Sequence, residues 1–258
     1  MSEQIDMRGR VVLITGGGKG VGKGISQRFL DAGATVVVCG RSEPEQLPRA
    51  GENIADFRIC DVTDREQIDQ CIESVIARFK RLDVLINNAG GTPYKDAATA
   101  SPRYSEKIIA LNLIAPMQFS EAANIVMQTQ ENGGCVVHIN SVSAVRPSPG
   151  TAAYGAAKAA LLALAESQAQ QWAPKVRVNS VVVGLVKTEQ AHLHYGDEAG
   201  IAAVANTIPL RRLAEPTDIG NACVYLSCEL SGGVTAARLT VHGGGERPAF
   251  LDAATGSG

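Results

Sequence analysis

The stretch from Arg10 to Gly40 leaves a chain of this kind the least freedom. RVVLI is a short apolar run rich in β-branched residues and reads as a buried strand. It passes directly into Thr15-Gly16-Gly17-Gly18-Lys19-Gly20-Val21-Gly22. KGISQRFLDAG follows as a helix, with Ile25, Phe29 and Leu30 on one side and Gly33 as a stop. ATVVVCG then reads as a second strand. Strand, glycine-rich turn, helix and strand make a βαβ unit. A turn of this kind lets a pyrophosphate approach backbone N–H groups at a helix N-terminus. A glycine pattern alone is weak support, because an unliganded turn looks the same. Its place between a strand and a helix is what points to a nucleotide.

A second stretch carries chemistry. Ser141 to Lys158 reads SVSAVRPSPGTAAYGAAK. If the part after Pro149-Gly150 is helical, Tyr154 and Lys158 lie on one face, four residues apart. An ammonium beside a phenol favours the phenolate. The phenol then becomes a usable general acid or base nearer neutral pH. A hydroxyl from Ser141 converging on the same point could hydrogen-bond a carbonyl oxygen. Taken alone, the pair also fits an ordinary solvated helix face.

The remaining elements follow from periodicity. Asp64 to Phe79 reads as a helix with Ile68, Cys71, Ile72, Val75, Ile76 and Phe79 on its apolar side, capped by Asp64 or Thr63. VLIN is a fourth strand, and Gly91 to Ala100 a loop. A long helix runs through Asn112 to about Gln128, and CVVHIN is a fifth strand that delivers Ser141 at its C-terminal end. Pro216 to Leu226 is a further helix, and ARLTVHGG fits a seventh strand.

At 258 residues, 45% of them hydrophobic, the chain suits one α/β domain with a substantial core, or at most two small ones. A net charge of −2 gives no electrostatic reason to expect nucleic acid or an anionic membrane. No apolar run reaches the roughly 18 residues of a membrane span. MSEQIDMRGR has no apolar signal core, so a soluble, cytoplasmic protein is expected. The cysteines at 39, 60, 71, 135, 223 and 228 form no C-x-x-C pair and sit in part in apolar runs. They read as buried reduced thiols, with neither disulfides nor metal expected. His192 and His194 are two apart with no evident third ligand, so no metal site is assigned.

The glycine spacing is T-G-x-x-x-G-x-G, which resembles the short-chain dehydrogenase/reductase family, its 3-oxoacyl reductase-like members included. The resemblance covers nearly the whole chain. Asn87-Asn88-Ala89-Gly90 follows the strand-like DVLI, and Asn112 in ALNLIAP looks like the family's helix-borne asparagine. Ser141, Tyr154 and Lys158 have its catalytic spacing, and Asn179 and Gly184 match its sixth-strand segment. The resemblance implies a Rossmann-type, doubly wound α/β fold: a seven-stranded parallel sheet with helices on both faces, a single domain over 1–258, and a substrate lid at 189–206. It implies a catalytic set of Asn112, Ser141, Tyr154 and Lys158. In that set Ser141 polarises a carbonyl, and Tyr154 donates a proton as hydride arrives. Lys158 lowers the tyrosine pKa and holds the nicotinamide ribose, and Asn112 supports a water relay. The implied cofactor contacts are Gly16, Gly18, Lys19, Gly20, Val21, Gly22, Arg41, Ser42, Asp61, Val62, Asn88, Ala89, Gly90, Tyr154, Lys158, Gly184, Val186 and Thr188.

At the end of the second strand an acidic residue would bind the 2′-OH of NAD and repel a 2′-phosphate. That position is Gly40, followed by Arg41 and Ser42. An arginine fork grips phosphate, and Lys19 adds a second cation. NADP(H) is therefore expected over NAD(H). Asp61-Val62 resembles the family's adenine-contacting pair. Three places depart from the family pattern: Val183-Gly184 stands for Pro-Gly, Thr235-Ala236 for Thr-Gly, and His242-Gly243-Gly244 for Asp-Gly-Gly. The departures put the C-terminal interface in doubt, not the chemistry.

The expected activity is hydride transfer between NADP(H) and a small carbonyl or secondary alcohol. A catalytically idle NADP(H)-binding sensor or scaffold is the alternative from another class. An isomerase or dehydratase on the same fold is a third. Family members are commonly tetramers, and a homotetramer or dimer is expected. The segment before the fifth strand, MQTQENGG, has no Lys or Arg, so an acyl carrier protein is not expected as partner. His192, His194 and Tyr195 in the lid could touch a substrate. Lys95, Arg103, Arg146 and Lys187 could meet an anionic group or be solvated surface charges. The tail after Gly245 reads as an inter-subunit segment.

Overall fold

Alternate residues of the first strand point to opposite faces, and this divides the core in two. The computed structural model describes residues 5–253. In β1 (Val11–Thr15), Val12 and Ile14 join one buried cluster while Val11 and Leu13 join the other. The first cluster holds Ile25 and Phe29 of α1 (Gly20–Asp31) and Ile219 and Cys223 of α8 (Pro216–Ser227). The second holds Ile68 and Ile72 of α2 (Arg65–Phe79), Phe119 and Met127 of α4 (Ala115–Thr129) and Ala165 of α5 (Ala152–Trp172). A strand buried on both faces reads as a near-continuous apolar run, as VVLIT does.

The other strands are β2 (Thr35–Gly40), β3 (Asp56–Ile59), β4 (Val84–Asn87), β5 (Gly134–Ser141), β6 (Val176–Val183) and β7 (Arg238–Val241). They form one seven-stranded sheet in the order β3-β2-β1-β4-β5-β6-β7, every neighbouring pair parallel. The order reverses between β1 and β4. In an open α/β sheet the crevice at the carboxyl ends of the strands beside such a reversal is where ligands bind. Thr15, Gly40, Asn87, Ser141 and Val183 all end their strands at that edge.

The expected elements are present, with additions. An antiparallel hairpin pairs Arg49–Ala50 with Asn53–Ile54 between β2 and β3. The cap of α2 is Asp64, which accepts the N–H groups of Glu66 and Gln67. Thr63 instead donates to Asp61 Oδ1 through both its N–H and its hydroxyl, at 2.9 and 2.7 Å. The long helix expected through Asn112 is α3 (Pro102–Ile109) and α4 joined by a π-turn at Ala110–Ile114. Pro116 explains the turn: it has no N–H for the carbonyl of Asn112 and crowds that group. The helix relaxes by an i→i−5 bond from Ala115 to Ala110. The segment 189–206, expected as a lid, contains α6 (His192–Tyr195) and α7 (Glu198–Asn206). The tail includes α9 (Ala249–Ala253), and its last residues, 254–258, lie outside the described ones.

Candidate active site

Five chain segments meet at the sheet's C-terminal edge, and hydrogen bonds lock them together. Thr15 Oγ1 accepts the N–H groups of Asn88 and Ala89 at 3.0 and 2.9 Å. Asn88 Nδ2 returns bonds to the carbonyls of Thr15 and Gly16 at 2.9 and 3.2 Å. The glycine-rich turn and the Asn-Asn-Ala-Gly segment are therefore one rigid unit. Thr15 was not among the expected site residues; its place at the head of the glycine motif was the available signal.

The turn needs its glycines. Gly16 and Gly20 have φ of 64° and 52°, in the left-handed region. A Cβ on Gly22 would stand 2.2 Å from the carbonyl oxygen of Gly16. The backbone is thus held open as a cradle at the N-terminus of α1, where amide dipoles favour an anion. An anion is already there: Gly20 N–H donates to Glu189 Oε1 at 2.9 Å. The same bond, with one within Glu189 itself and the nearby Lys23 and Lys19, holds the Glu189 carboxyl below its ordinary range. No spacing rule joins position 189 to position 20, so this residue was invisible in the sequence. A dinucleotide phosphate fits these donors in the carboxylate's place.

At the far end of β2, Arg41 and Ser42 are exposed. Arg41 is close enough to Asp61 to help lower its carboxyl, after the two larger contributions from Thr63. Lys19 is exposed at the N-cap of α1 and Val62 is buried. Gly184 donates its N–H to Val241 at 3.0 Å, and a Cβ there would lie 2.5 Å from His242 Cβ. The glycine of Val183-Gly184 is thus fixed by the approach of His242. Val186 bridges to Ala214, and Thr188 Cγ2 faces Gly20.

Tyr154 and Lys158 do share a face of α5. Lys158 Nζ is 5.7 Å from the Tyr154 ring centroid and donates to the Ile139 carbonyl at 2.8 Å. A Cβ on Gly90 would lie 3.5 Å from Nζ and 2.7 Å from Asn112 Oδ1, so Gly90, Asn112 and Lys158 form one wall. Ser141 sits within hydrogen-bonding reach of the Tyr154 hydroxyl. Its Oγ also accepts Ser143 N–H at 3.1 Å.

Burial raises the Tyr154 phenol above its ordinary value, and the Ser141 hydrogen bond opposes this only in part. Lys158 donates to the Ile139 carbonyl, and burial lowers its own pKa to about 8. Asn112 is bonded to backbone on every side: Nδ2 donates to Gly91 and Ile108 at 3.0 and 2.9 Å, and Oδ1 accepts Gly91 N–H at 2.9 Å. Its carboxamide braces the π-turn against the Gly90-Gly91 loop, and its main-chain carbonyl has no N–H partner at Pro116.

His192 and His194 are exposed, while Tyr195 is partly buried. Burial, and then the Glu246 carboxylate, raise the Tyr195 phenol. Arg146 is paired with Glu246 at 2.5 Å, and Lys187 lies 3.9 Å from Glu198.

Comparison with known proteins matches this geometry. The family described as Enoyl-(Acyl carrier protein) reductase aligns with residues 16–246. The chain belongs to the short-chain dehydrogenase/reductase family. It is 30% identical to the 3alpha-hydroxysteroid dehydrogenase of Mediterraneibacter gnavus, covering 92% of this chain and 97% of that one. It is also 30% identical to the 3-oxoacyl-[acyl-carrier-protein] reductase FabG of Thermotoga maritima, over 92% and 98%. The ligand-free aldohexose dehydrogenase of Thermoplasma acidophilum superposes with a TM-score of 0.85 at 28% identity, over 92% and 94%. Membership in this dehydrogenase/reductase family places the chain among oxidoreductases that use nicotinamide cofactors. No helix among the described residues is long and apolar enough to cross a membrane.

Proposed function

We propose that the protein is an NADP(H)-dependent reductase of neutral ketones, and the dehydrogenase of the matching secondary alcohols. The observation that carries this is the meeting of Tyr154, Ser141 and Lys158 at the sheet edge beside Asn88–Gly90. A nicotinamide dinucleotide, when bound, supplies or accepts the hydride. Gly16 to Gly22 would hold its pyrophosphate, with Arg41, Ser42 and Lys19 at the 2′-phosphate. Asp61 and Val62 would face adenine, and Asn88, Ala89, Gly184, Val186 and Thr188 the nicotinamide half. Ser141 hydrogen-bonds the substrate carbonyl and polarises it. Tyr154 gives its proton to the oxygen as charge develops there. Lys158, whose pKa near 8 lets it move between ammonium and amine, holds ribose hydroxyls and restores the tyrosine proton.

A neutral substrate is favoured because cations beside residues 189–206 have partners: Arg146 with Glu246, Lys187 with Glu198, and Arg211 with the Asn206 carbonyl. The lid's interior is apolar, built from Ala191, Ile201, Ile208 and Leu213 with Leu185 and Val204. A docking site for an acidic carrier is disfavoured before β5. The nearby Lys175 donates to the carbonyls of Gln130 and Glu131 at 2.9 and 3.1 Å. The direct test is NADPH and NADH oxidation against a panel of neutral ketones, quinones, steroids, sugars and 3-oxoacyl thioesters. Turnover of a neutral ketone with NADPH is expected. Turnover confined to thioesters would overturn the substrate class. Silence across the panel, with NADPH binding intact, would favour a sensor.

A further inference from the structure

Three of the six cysteines, scattered at positions 39, 60 and 71, converge on one point. Cys39 comes from β2, Cys60 directly follows β3, and Cys71 lies in α2. Their sulfurs all lie within 4.8 Å of one another, and the residues are 2%, 0% and 3% exposed. A cation bound to three sulfurs at about 2.3 Å in a plane holds them about 4 Å apart. The cluster therefore needs to contract by less than about 1 Å. No imidazole or carboxylate joins the group among the described residues. Its surroundings are apolar, with Val62, Ile68 and Ile72 in the same cluster.

We propose that Cys39, Cys60 and Cys71 form a three-coordinate site for a thiophilic d10 cation, with monovalent copper as its best occupant. Soft thiolate donors select such ions. Zinc in a closed protein site takes four donors, and only three are here. Cys60 Sγ lies 3.5 Å from the Gln67 carbonyl, a weak contact that copper would replace. Each thiol that ionises on binding releases one proton, and copper stays monovalent throughout. Entry is through β3, the edge strand, where Ile59 beside Cys60 is 75% exposed. Edge elements of this kind open locally at low cost. The site lies next to the proposed cofactor residues Arg41 and Asp61, but its test does not depend on that reading.

The test uses reduced full-length protein titrated anaerobically with Cu(I)–acetonitrile, with bicinchoninate as competing chromophore. One retained equivalent is expected, with an ultraviolet sulfur-to-copper charge-transfer band. The triple variant C39A/C60A/C71A should release that copper. The variant C135A/C223A/C228A, altered in the opposite core layer, should keep it. Release of all copper by the unaltered protein, or equal retention by both variants, overturns the site. Should the first triple variant not fold, Cys71→Ala alone decides. Loss of a direct donor should weaken binding by at least the about 10–100-fold that outer-shell changes cost, and unchanged affinity overturns the proposal. Tight zinc binding with copper refused overturns the three-coordinate assignment. A disulfide among the three thiols in metal-free protein kept under reductant would do the same.

Discussion

Tyr154 is one phenol among five, and its surroundings alone single it out. Replacing it with phenylalanine removes a single oxygen. Tyr154→Phe should lower kcat by about 10²–10⁴-fold, the usual worth of a positioned general acid. NADPH affinity should change by less than about twofold, since a group acting on the reacting proton contributes to the transition state and not to ground-state binding. Stopped-flow turnover beside fluorescence titration separates the two, and undiminished kcat would remove the tyrosine from its role. Arg41 is exposed and poised at the end of β2. Arg41→Ala should weaken NADPH by at least about tenfold, a loss of charge-assisted phosphate bonds, and leave NADH nearly unchanged. Equal losses would sink the phosphate assignment. Ala236 carries a cost of another kind. It stands at φ 59°, where the family often has glycine. A side chain there costs about 1–2 kcal/mol, so Ala236→Gly should raise stability by about 1 kcal/mol after the entropy penalty of glycine. A lower Tm would contradict this.

The π-turn and the lid are where element-scale reasoning met its limit. Periodicity found the helix through Asn112, because Ile108, Ala115 and Phe119 repeat at helical spacing. It did not find the widened turn, although Pro116 was in view, because a proline in a helix can kink, break or widen it. Tertiary packing against the Gly90-Gly91 loop selects among these. Nor does periodicity in the segment 189–206 reveal the contact made by Glu189. Glu189 holds the N-terminus of α1 by a bond spanning 169 positions. Its carboxylate competes with phosphate for the Gly20 N–H, and helix-end charge interactions are worth about 0.3–1 kcal/mol. Glu189→Gln should therefore tighten NADPH binding by about 2–5-fold. An unchanged Kd would show that phosphate and carboxylate do not share the place.

At the scale of the whole molecule, a buried histidine sets part of the acid limit. His138 lies inside the sheet at 0% exposure, with Nε2 3.3 Å from Gln168 Oε1 and Nδ1 3.4 Å from Asn87 Nδ2. Burial lowers its pKa from 6.5 to about 4. Above pH 6.5 the ring is neutral whether the chain is folded or not, so it costs nothing. As pH falls toward 4 the unfolded chain takes up the proton first, and stability declines. A shift of this size corresponds to about 3 kcal/mol in all. Urea unfolding of His138→Asn at several pH values should show a shallower loss between pH 6.5 and 4 than the unaltered protein. Parallel curves would mean that the ring is protonated when folded.

The sequence by itself determined the order of strands and helices, the glycine cradle, and which residues could donate or polarise. These depend on local pattern: β-branched runs, helical spacing, and glycine where no Cβ fits. Only the tertiary structure decided the electrical state of the site and the company its residues keep. Tyr154 is raised by its own burial, and Lys158 faces Ile139 because β5 passes beneath it. Asn112 is spent on the backbone of a neighbouring loop, and three cysteines with no linear motif share one point. Burial and proximity depend on residues far apart in the chain, and a single sequence does not record those distances.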